Sequence, residues 1–508
     1  MSERTRKQTT WAARGAALLL WLPCATFACE ASGIGLNKFD LALQYIGRAS
    51  NGDGTPAHTQ VTRAMARKAI GDAAHLGVGY IRVSATGFKP HDLDLWVKNP
   101  TQYWAALDLM MADLHEAGIC IIPTLAWNPV QFPTMTSESV TAMLTDPKSA
   151  SWQLLERYVR DFIGHYAKSP ELLFYELTNE LNNHADIDEI KVCARRKHAE
   201  NCTAASNFST DQMNEFMARF AALVRSLDSA HKISSGFTLP RPAAWHTRRH
   251  PQWLGRADWT ADSPQELEET LRDIHKSVDI ISVHLYPPNS TRLGLASGEE
   301  YKIAAIVQAA ASHIGKPLFI GEFGQNDIRQ AGPDSFFAHM TQEIARLKVP
   351  YSAAWIWEFY QVAVDAPYQS EPSYPSLEPG YTDVAIDAIR QVNSARRAAV
   401  GTPPVAPAVV LTEPMECAAV SGGNELYAVA SLGSRPVESV EFLVDGKSVG
   451  QVMRPPFTLL LPASVGKPGL AEIEARACSA GKCSSYRARV VLGGDPAAGA
   501  QCQARAPR

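Results

Sequence analysis

Eight short apolar runs recur between residues 33 and 395, and a longer segment separates each run from the next. In chain order the runs are SGIGLNKF, GVGYIRVSA, GICIIPTLAW, LLFYELTNE, KISSGFT, VDIISVHLYP, PLFIGEFG and YSAAWIWEF. Several of them follow a Gly or Pro that ends an amphipathic helical pattern, such as TRAMARKAIGDAAHLG and YWAALDLMMADLHEAG. Buried strands that alternate with helices form parallel sheets with right-handed crossovers. Eight such units predict a (β/α)8 TIM barrel, an α/β fold, over residues 33–395. A doubly wound open sheet is the alternative, but no GxGxxG motif opens a helix after an early strand.

The character of the chain changes after the last of these units. Residues 396–408 are rich in Pro and Ala and predict a linker. Beyond it, VESVEFLVDGKSVGQV alternates apolar and polar residues around Asp445-Gly446, a strong hairpin signal. A small all-β sandwich is therefore predicted at 409–495, followed by a C-terminal tail at 496–508.

The N-terminal segment 1–28 has the layout of a secretory signal: basic residues, the apolar run AALLLWLPCATFA, and a small residue at Ala28. We therefore expect a secreted or periplasmic bacterial protein. Cleavage after Ala28 would leave Cys29 first. A lipid anchor at Cys29 is the alternative to simple secretion, although TFAC has Thr where lipoprotein signals usually have Leu. No other apolar stretch reaches 18 residues, so no membrane span is expected.

The cysteines that would remain after export favour disulfides over metal ligation. Connectivity stays open at this stage. Cys193 and Cys202 could close a polar loop, Cys478 and Cys483 a hairpin, and Cys417 with Cys502 could bracket the terminal domain. No CxxC pair with a matching second pair is present, so we expect no metal site. The eight cysteines are Cys29, Cys120, Cys193, Cys202, Cys417, Cys478, Cys483 and Cys502.

The formal net charge of −4 and the 20% share of charged residues are typical of a globular protein without a basic nucleic-acid footprint. We therefore expect no nucleic-acid partner. We also expect a monomer. No GxSxG elbow is present for Ser/His/Asp chemistry.

Carboxylates lie at the ends of two predicted strands. YELTNELN carries Glu176 and Glu180 on the fourth, and PLFIGEFG carries Glu322 on the seventh. Because active sites of this fold lie at the C-terminal ends of the strands, Glu180 and Glu322 should face each other across the mouth. Glu176 lies deeper and is expected to be a structural acid. Two facing acids suit cleavage of a glycosidic bond, where one protonates the leaving oxygen and the other attacks the anomeric carbon.

These motifs resemble glycoside hydrolase family 5 and its clan of retaining (β/α)8 glycosidases. That clan carries an Asn-Glu pair on strand four and a nucleophilic Glu on strand seven, matched here by Asn179-Glu180 and Glu322. The resemblance implies Glu180 as acid/base and Glu322 as nucleophile, with no cofactor. The remaining matches lie on strands two, six and eight: Arg82 in YIRVSA, His284 and Tyr286 in SVHLYPP, and Trp355 in AAWIW.

Residue chemistry supports these assignments. Arg82 can stabilise the charge of Glu322, and Tyr286 can donate a hydrogen bond to it. Asn179 can bind the sugar 2-hydroxyl at the oxocarbenium-like transition state, and His284 shares the inward face of Tyr286. Glu180 has to stay protonated until it acts, so we expect a raised pKa.

Aromatic residues at strand ends suit stacking on sugar rings. Trp355 is predicted to fill this role rather than Trp357. Trp127 and Asn128, which close the third strand, are predicted to line the same cleft. The long polar insertion after the fourth strand is either a pinned surface loop or a wall of the cleft, and both readings stay open.

The resemblance implies a secreted retaining β-glycosidase that cuts within a β-linked polysaccharide of β-mannan or β-glucan type. The ELxNE form is similar to the family's β-mannanases, with Tyr175 in place of a Trp, but PTLAWN lacks the His of some cellulases. VEFLVDGKSVG with RPPFTLLLP resembles bacterial immunoglobulin-like modules, often spacers, of secreted polysaccharide-acting enzymes. The rival hypothesis is an inactive carbohydrate-binding or adhesion protein on a barrel scaffold, which predicts damaged catalytic positions.

Overall fold

A computed structural model describes residues 29, 33–47, 59–189, 206–287, 293–359, 376–400, 406–494 and 496–505. Its larger part is a sheet of eight parallel strands in the order β5-β4-β3-β2-β1-β8-β7-β6. A parallel bridge between Ser234 and Ile280 joins β5 to β6 and closes the barrel. The predicted TIM barrel is therefore confirmed. Its strands are β1 Gly35–Asn37, β2 Tyr80–Ser84, β3 Cys120–Ala126, β4 Tyr175–Thr178, β5 Ile233–Ser234, β6 Ile281–Leu285, β7 Leu318–Phe323 and β8 Tyr351–Ile356.

Helices cover the outside of the barrel, and their ends carry the expected signals. The helix Pro100–Ala117 begins with Pro at its first position and Asn99 as N-cap, and it ends at Gly118 in the left-handed conformation. The barrel-domain helices are α1 Leu41–Ile46, α2 Thr59–His75, α3 Asp94–Lys98, α4 Pro100–Ala117, α5 Gln131–Thr136, α6 Val140–Thr145, α7 Ala150–Tyr166, α8 Thr210–Leu227, α9 Ala244–Arg249, α10 Pro264–Ile274, α11 Ile303–Ile314, α12 Phe336–Leu347, α13 Asp383–Val392 and α14 Ser394–Val400. Short 3-10 turns lie at Pro90–Leu93, Leu181–Asn183, Gln252–Leu254, Glu300–Lys302 and Ile328–Gln330.

Apolar side chains fill the N-terminal end of the barrel. Phe174 packs edge-on against Phe319 and Tyr351, with ring centroids 5.3 and 5.0 Å apart. Tyr80 and Ile122 belong to the same buried cluster. Because this end is packed, polar side chains can meet a ligand at the opposite, C-terminal end.

The smaller part is a sandwich of two sheets whose strands pair antiparallel, except for the parallel pair β10–β16, and it is compatible with the predicted immunoglobulin-like fold. Their strand orders are β10-β16-β15-β12-β13 and β14-β11-β9. The predicted hairpin is present, because β12 and β13 pair across Asp445-Gly446, both with positive φ. The elements are β9 Ala408–Glu413, β10 Ala419–Val420, β11 Glu425–Ser431, β12 Ser439–Val444, β13 Lys447–Val452, β14 Phe457–Leu460, β15 Gly469–Ser479, β16 Lys482–Leu492 and α15 Pro496–Arg505.

Three disulfides are present in the described part of the chain. Cys417 joins Cys502, and Cys478 joins Cys483 across the β15–β16 turn, both as the spacing allowed. Cys29 joins Cys120 at the start of β3. The alternative of a lipid on Cys29 is therefore wrong, because its sulfur is already bonded. Cys193 and Cys202 lie outside the described residues, as does the predicted signal segment.

Across the described ranges, no helix combines the length and apolar character needed to cross a membrane.

Candidate active site

A cleft of about 510 Å³ opens at the C-terminal ends of the barrel strands. Residues from the ends of β1 and β3 to β8 line it, as expected for this fold. The lining residues are Phe39, Trp127, Asn179, Glu180, Asn183, Thr238, Tyr286, Glu322, Asn326, Trp355 and Ile356.

The two predicted carboxylates meet in this cleft. One carboxylate oxygen of Glu180 and one of Glu322 lie within 4.8 Å of each other. Glu322 is part of β7 and is buried. Glu180 follows the end of β4 and has φ of 52°, in the left-handed region. A turn, rather than the alternation of a strand, therefore places the Glu180 side chain toward Glu322.

Arg82 lies fully buried beneath the carboxylates and uses each guanidinium nitrogen. Its Nη1 donates to Glu322 Oε1 at 2.7 Å, its Nη2 to Asn179 Oδ1 at 2.7 Å, and its Nε to Glu176 Oε1 at 2.7 Å. Trp127 packs on the guanidinium, with its ring centroid 4.8 Å away. Because a planar guanidinium has fixed donor directions, Arg82 sets the relative positions of these three acceptors.

Glu176 points into the barrel below Arg82 and is fully buried. Its Oε1 also accepts a hydrogen bond of 2.6 Å from Thr124. Gly236 is required beside it, since a Cβ there would lie 2.7 Å from the Glu176 side chain and 1.7 Å from the Thr178 carbonyl. Glu176 therefore balances the charge of Arg82 without reaching the cleft.

His284 on β6 is fully buried and contacts both acids. Its Nδ1 lies 2.8 Å from Glu180 Oε1 and 3.5 Å from Glu322 Oε1. Burial raises the pKa of Glu180, but the hydrogen bond and charge of His284, with the charge of Arg82, outweigh it and leave the pKa below its ordinary value. The sequence had led us to expect a raised pKa. The difference arises because the neighbour in contact with Glu180 is a histidine rather than the second acid.

Tyr286 donates its hydroxyl hydrogen bond to Glu322 Oε2. Burial and the charge of Glu322 raise the pKa of this phenol well above its usual value, so it remains a donor. Its ring packs edge-on against Trp355 at 5.4 Å, and this fixes the indole at the floor of the cleft.

The remaining predicted residues divide into those that reach the cleft and those that do not. Trp127, Asn179 and Trp355 line it. Trp357 is fully buried and donates to the Ala69 carbonyl on α2, so it serves packing. Asn128 was predicted to line the cleft but does not, because its side chain bonds to the Phe88 carbonyl and the Val130 amide.

Several cleft residues escaped sequence reasoning. Phe39, Thr238 and Asn326 follow strand ends, a position that could have suggested them. Asn37, the last residue of β1, had the same signal. Its amide donates to the carbonyls of Gly321 and Ala354 at 3.0 and 2.6 Å, and its oxygen accepts from Arg82 at 3.2 Å.

The insertion after β4 begins beside Glu180, and its residues 190–205 lie outside the described part. Asn183 from its first turn donates to Glu180 Oε2 at 3.1 Å and lines the cleft. The arrangement therefore offers one carboxylate held by Arg82 and Tyr286, and a second, more exposed one held by His284 and Asn183. In such a pair, one carboxyl group can protonate a leaving oxygen while the other attacks the carbon from which that oxygen departs.

The family model described as cellulase (glycosyl hydrolase family 5) matches residues 113–360, which include both cleft carboxylates. No curated protein matches the chain. Among solved structures, the fold is similar to an endo-beta-1,4-mannanase from Thermotoga petrophila, at 15% identity and a TM-score of 0.48, over 92% of this chain and 99% of that one. It is also similar to an endo-1,4-beta-mannanase from Rhizomucor miehei, at 14% identity and a TM-score of 0.48, over 72% of this chain and 95% of that one. A Bacteroides uniformis beta-glucuronidase shares 14% identity with a TM-score of 0.38, over 91% of this chain and 46% of that one.

Proposed function

Residues 113–360 form a glycoside hydrolase family 5 domain, and from this premise we propose that the protein is a secreted, retaining β-glycosidase that cuts within a β-linked polysaccharide of mannan or glucan type. The observation that supports the proposal is that one carboxylate oxygen of Glu180 lies within 4.8 Å of one of Glu322, a close approach that favours the retaining geometry. Retaining enzymes place their two carboxyl groups about 5–5.5 Å apart, whereas inverting enzymes leave about 6.5–9.5 Å for a water molecule.

The roles of the two acids follow from their surroundings. Glu322 accepts hydrogen bonds from Arg82 and Tyr286, which stabilise its charge and aim it, so it is the nucleophile. Glu180 is the more exposed acid, with 30% of its side chain accessible, and it faces the leaving group as acid and then base. Its proton must be kept despite the lowered pKa in the free protein. Exclusion of water by a bound sugar favours the neutral carboxyl and supports this step.

The remaining cleft residues position the substrate. Trp355 offers an indole face for a sugar ring, and Asn179, held by Arg82, offers its amide to the 2-hydroxyl. No cofactor takes part in this mechanism.

The experiment combines a substrate panel with matched variants. The purified protein is incubated with mannan, carboxymethyl cellulose, xylan and mixed-linkage glucan, and new reducing ends are measured together with solution viscosity. Early loss of viscosity indicates cleavage within the chain. Glu322→Gln and Glu180→Gln should lose about 10³-fold or more in kcat while remaining folded, and Glu116→Gln, exposed on the surface, should match the parent protein.

Three results would contradict the proposal. These are full activity of Glu322→Gln, release of the inverted anomer first in proton NMR, or binding to polysaccharides without any hydrolysis. The last result would favour an inactive binding protein.

A further inference from the structure

The β-sandwich packs directly on the barrel through an apolar contact. Val61 and Met65 on α2 form a buried cluster with Val410 on β9 and Val429 on β11. A module that served only as a spacer would not need a buried contact with the barrel. The face of α2 is therefore shared between the two domains.

A polar contact continues this interface into the barrel. Ser431, the last residue of β11, donates its hydroxyl to Asp72 Oδ2 on α2, and the Ser434 amide donates to Asp72 Oδ1 at 3.3 Å. Arg390 on α13 donates to the Ser434 carbonyl at 3.2 Å. Ser431 is fully buried and Asp72 is nearly so, so this hydrogen bond is shielded from water.

Lys68 connects Asp72 to Glu358, which follows the end of β8 beside the cleft. Its ammonium lies 2.9 Å from Asp72 Oδ2 and 2.9 Å from Glu358 Oε2, and these three side chains are at most 4% exposed. Glu358 stands three residues after Trp355 and has a positive φ of 41°. Its carbonyl accepts a bond of 2.9 Å from Lys38. A non-glycine residue in this conformation persists only where its surroundings hold it.

Two further bonds tie the same segment to α2 and β1. Trp357 donates from its indole to the Ala69 carbonyl at 2.9 Å and from its amide to the Asn37 carbonyl at 2.8 Å. Trp355 and Ile356, which line the cleft, come immediately before it. Movement of α2 relative to β8 would therefore move the floor of the cleft.

We propose that the β-sandwich helps to position the active-site cleft. Ser431 completes a buried ionic network through Asp72 and Lys68. This network fixes Glu358, and with it the end of β8 that carries Trp355. Ser431, Asp72, Lys68 and Glu358 are positioning residues, since they act on the cleft through Trp355. The expected change in kcat/KM rests on the proposed function, whereas the expected change in hydrogen exchange at residues 351–359 does not. Removing one partner from a buried charged network leaves the others under-compensated, so the effect reaches Glu358.

The test uses the full chain and three variants. Ser431→Ala removes the hydroxyl, and Ser431→Thr keeps it. Val429→Ala is the matched control, because Val429 lies two residues earlier on β11 and packs in the apolar interface without touching the ions. Hydrogen–deuterium exchange of residues 351–359 is measured together with kcat and KM, at a temperature where each variant is folded.

We expect faster exchange in residues 351–359 for Ser431→Ala and a loss of about tenfold in kcat/KM, with Ser431→Thr close to the parent protein. Val429→Ala should lower the unfolding midpoint without either change. If Ser431→Ala does not fold, Ser431→Cys, which keeps a weaker donor, should show the same changes to a smaller degree.

The proposal is overturned if Ser431→Ala and the parent protein give equal exchange in residues 351–359 and equal kcat/KM. It is also overturned if Val429→Ala produces both changes to the same extent. Absence of hydrolysis by the parent protein on the whole substrate panel would refute the proposed function, while the exchange measurement would still decide on the network.

Discussion

Nδ1 of His284 lies 2.8 Å from Oε1 of Glu180. Burial raises the pKa of this carboxyl, but the hydrogen bond and charge of His284, together with the charge of Arg82, leave it below its ordinary value. The contact couples the acid of the cleft to a fully buried imidazole on β6. Since a general acid works only while protonated, His284 influences the pH range in which the site can act.

Replacing His284 by Phe should move the alkaline limb of the pH profile to higher pH. The substitution removes the hydrogen bond and the charge that lower the pKa of Glu180, and burial, which raises it, remains. Activity is lost as pH rises through this pKa, so a higher pKa extends activity upward. The kcat/KM profile, which reports the free enzyme, is the measurement. His250→Phe, on the exposed surface, is the control, and a limb that stays in place or moves to lower pH in His284→Phe contradicts the prediction.

Glu176→Gln should destabilise the barrel although Glu176 never reaches the cleft. The change removes one of two carboxylates that neutralise the buried Arg82, while the amide oxygen can still accept from Thr124. Breaking a buried ion pair costs about 3 kcal/mol in the free energy of unfolding. Urea unfolding measures this, with Glu116→Gln on the surface expected to stay within about 0.5 kcal/mol of the parent protein. Equal stability of the two variants would show that Arg82 needs only Glu322.

Trp355→Ala should lower kcat/KM on a polysaccharide by about tenfold or more, because stacking contacts of an indole contribute about 1 kcal/mol beyond buried area. Trp355→Phe, which keeps an aromatic face, should lose less. Trp259→Ala is the control, since Trp259 is 55% exposed and does not line the cleft. Steady-state kinetics on the best substrate of the panel provides the comparison. A larger loss in Trp259→Ala than in Trp355→Ala would place the binding surface elsewhere.

The fold was predictable because its signal is local. The barrel strands lie within apolar runs of the sequence, and several of the intervening helices have their own periodicity and end signals. The hairpin at Asp445-Gly446 was equally readable, since a two-residue turn with positive φ favours these residues. The two acids at the centre of the cleft were recognisable because they lie in the motifs YELTNELN and PLFIGEFG.

Two contacts between distant segments were not predicted. The bond of Ser431 to Asp72 spans 359 residues, and the Cys29–Cys120 disulfide spans 91. Neither pair has a local pattern that points to its partner. The pKa of Glu180 was expected in the wrong direction for the same reason, since His284, which contacts it, comes from another strand.

The last prediction concerns acid stability and rests on His275, which is fully buried before β6. Its Nδ1 donates to the Leu271 carbonyl at 2.8 Å and its Nε2 accepts from the Ser282 amide at 3.2 Å, so the ring is held neutral. Burial lowers its pKa to about 4. Because the folded pKa lies below the unfolded value of about 6.5, the contribution is present above pH 6.5 and is lost as pH falls toward 4, by about 2 kcal/mol at pH 5.

His275→Gln should remove this part of the acid sensitivity, because an amide can donate and accept without taking up a proton. Urea unfolding at pH 7 and pH 5 measures the loss of stability in each protein. The loss should be smaller by about 2 kcal/mol in His275→Gln than in the parent protein, and His250→Gln, on the exposed surface, should behave like the parent. An equal loss in His275→Gln and the parent would mean that other groups carry the acid sensitivity of the barrel.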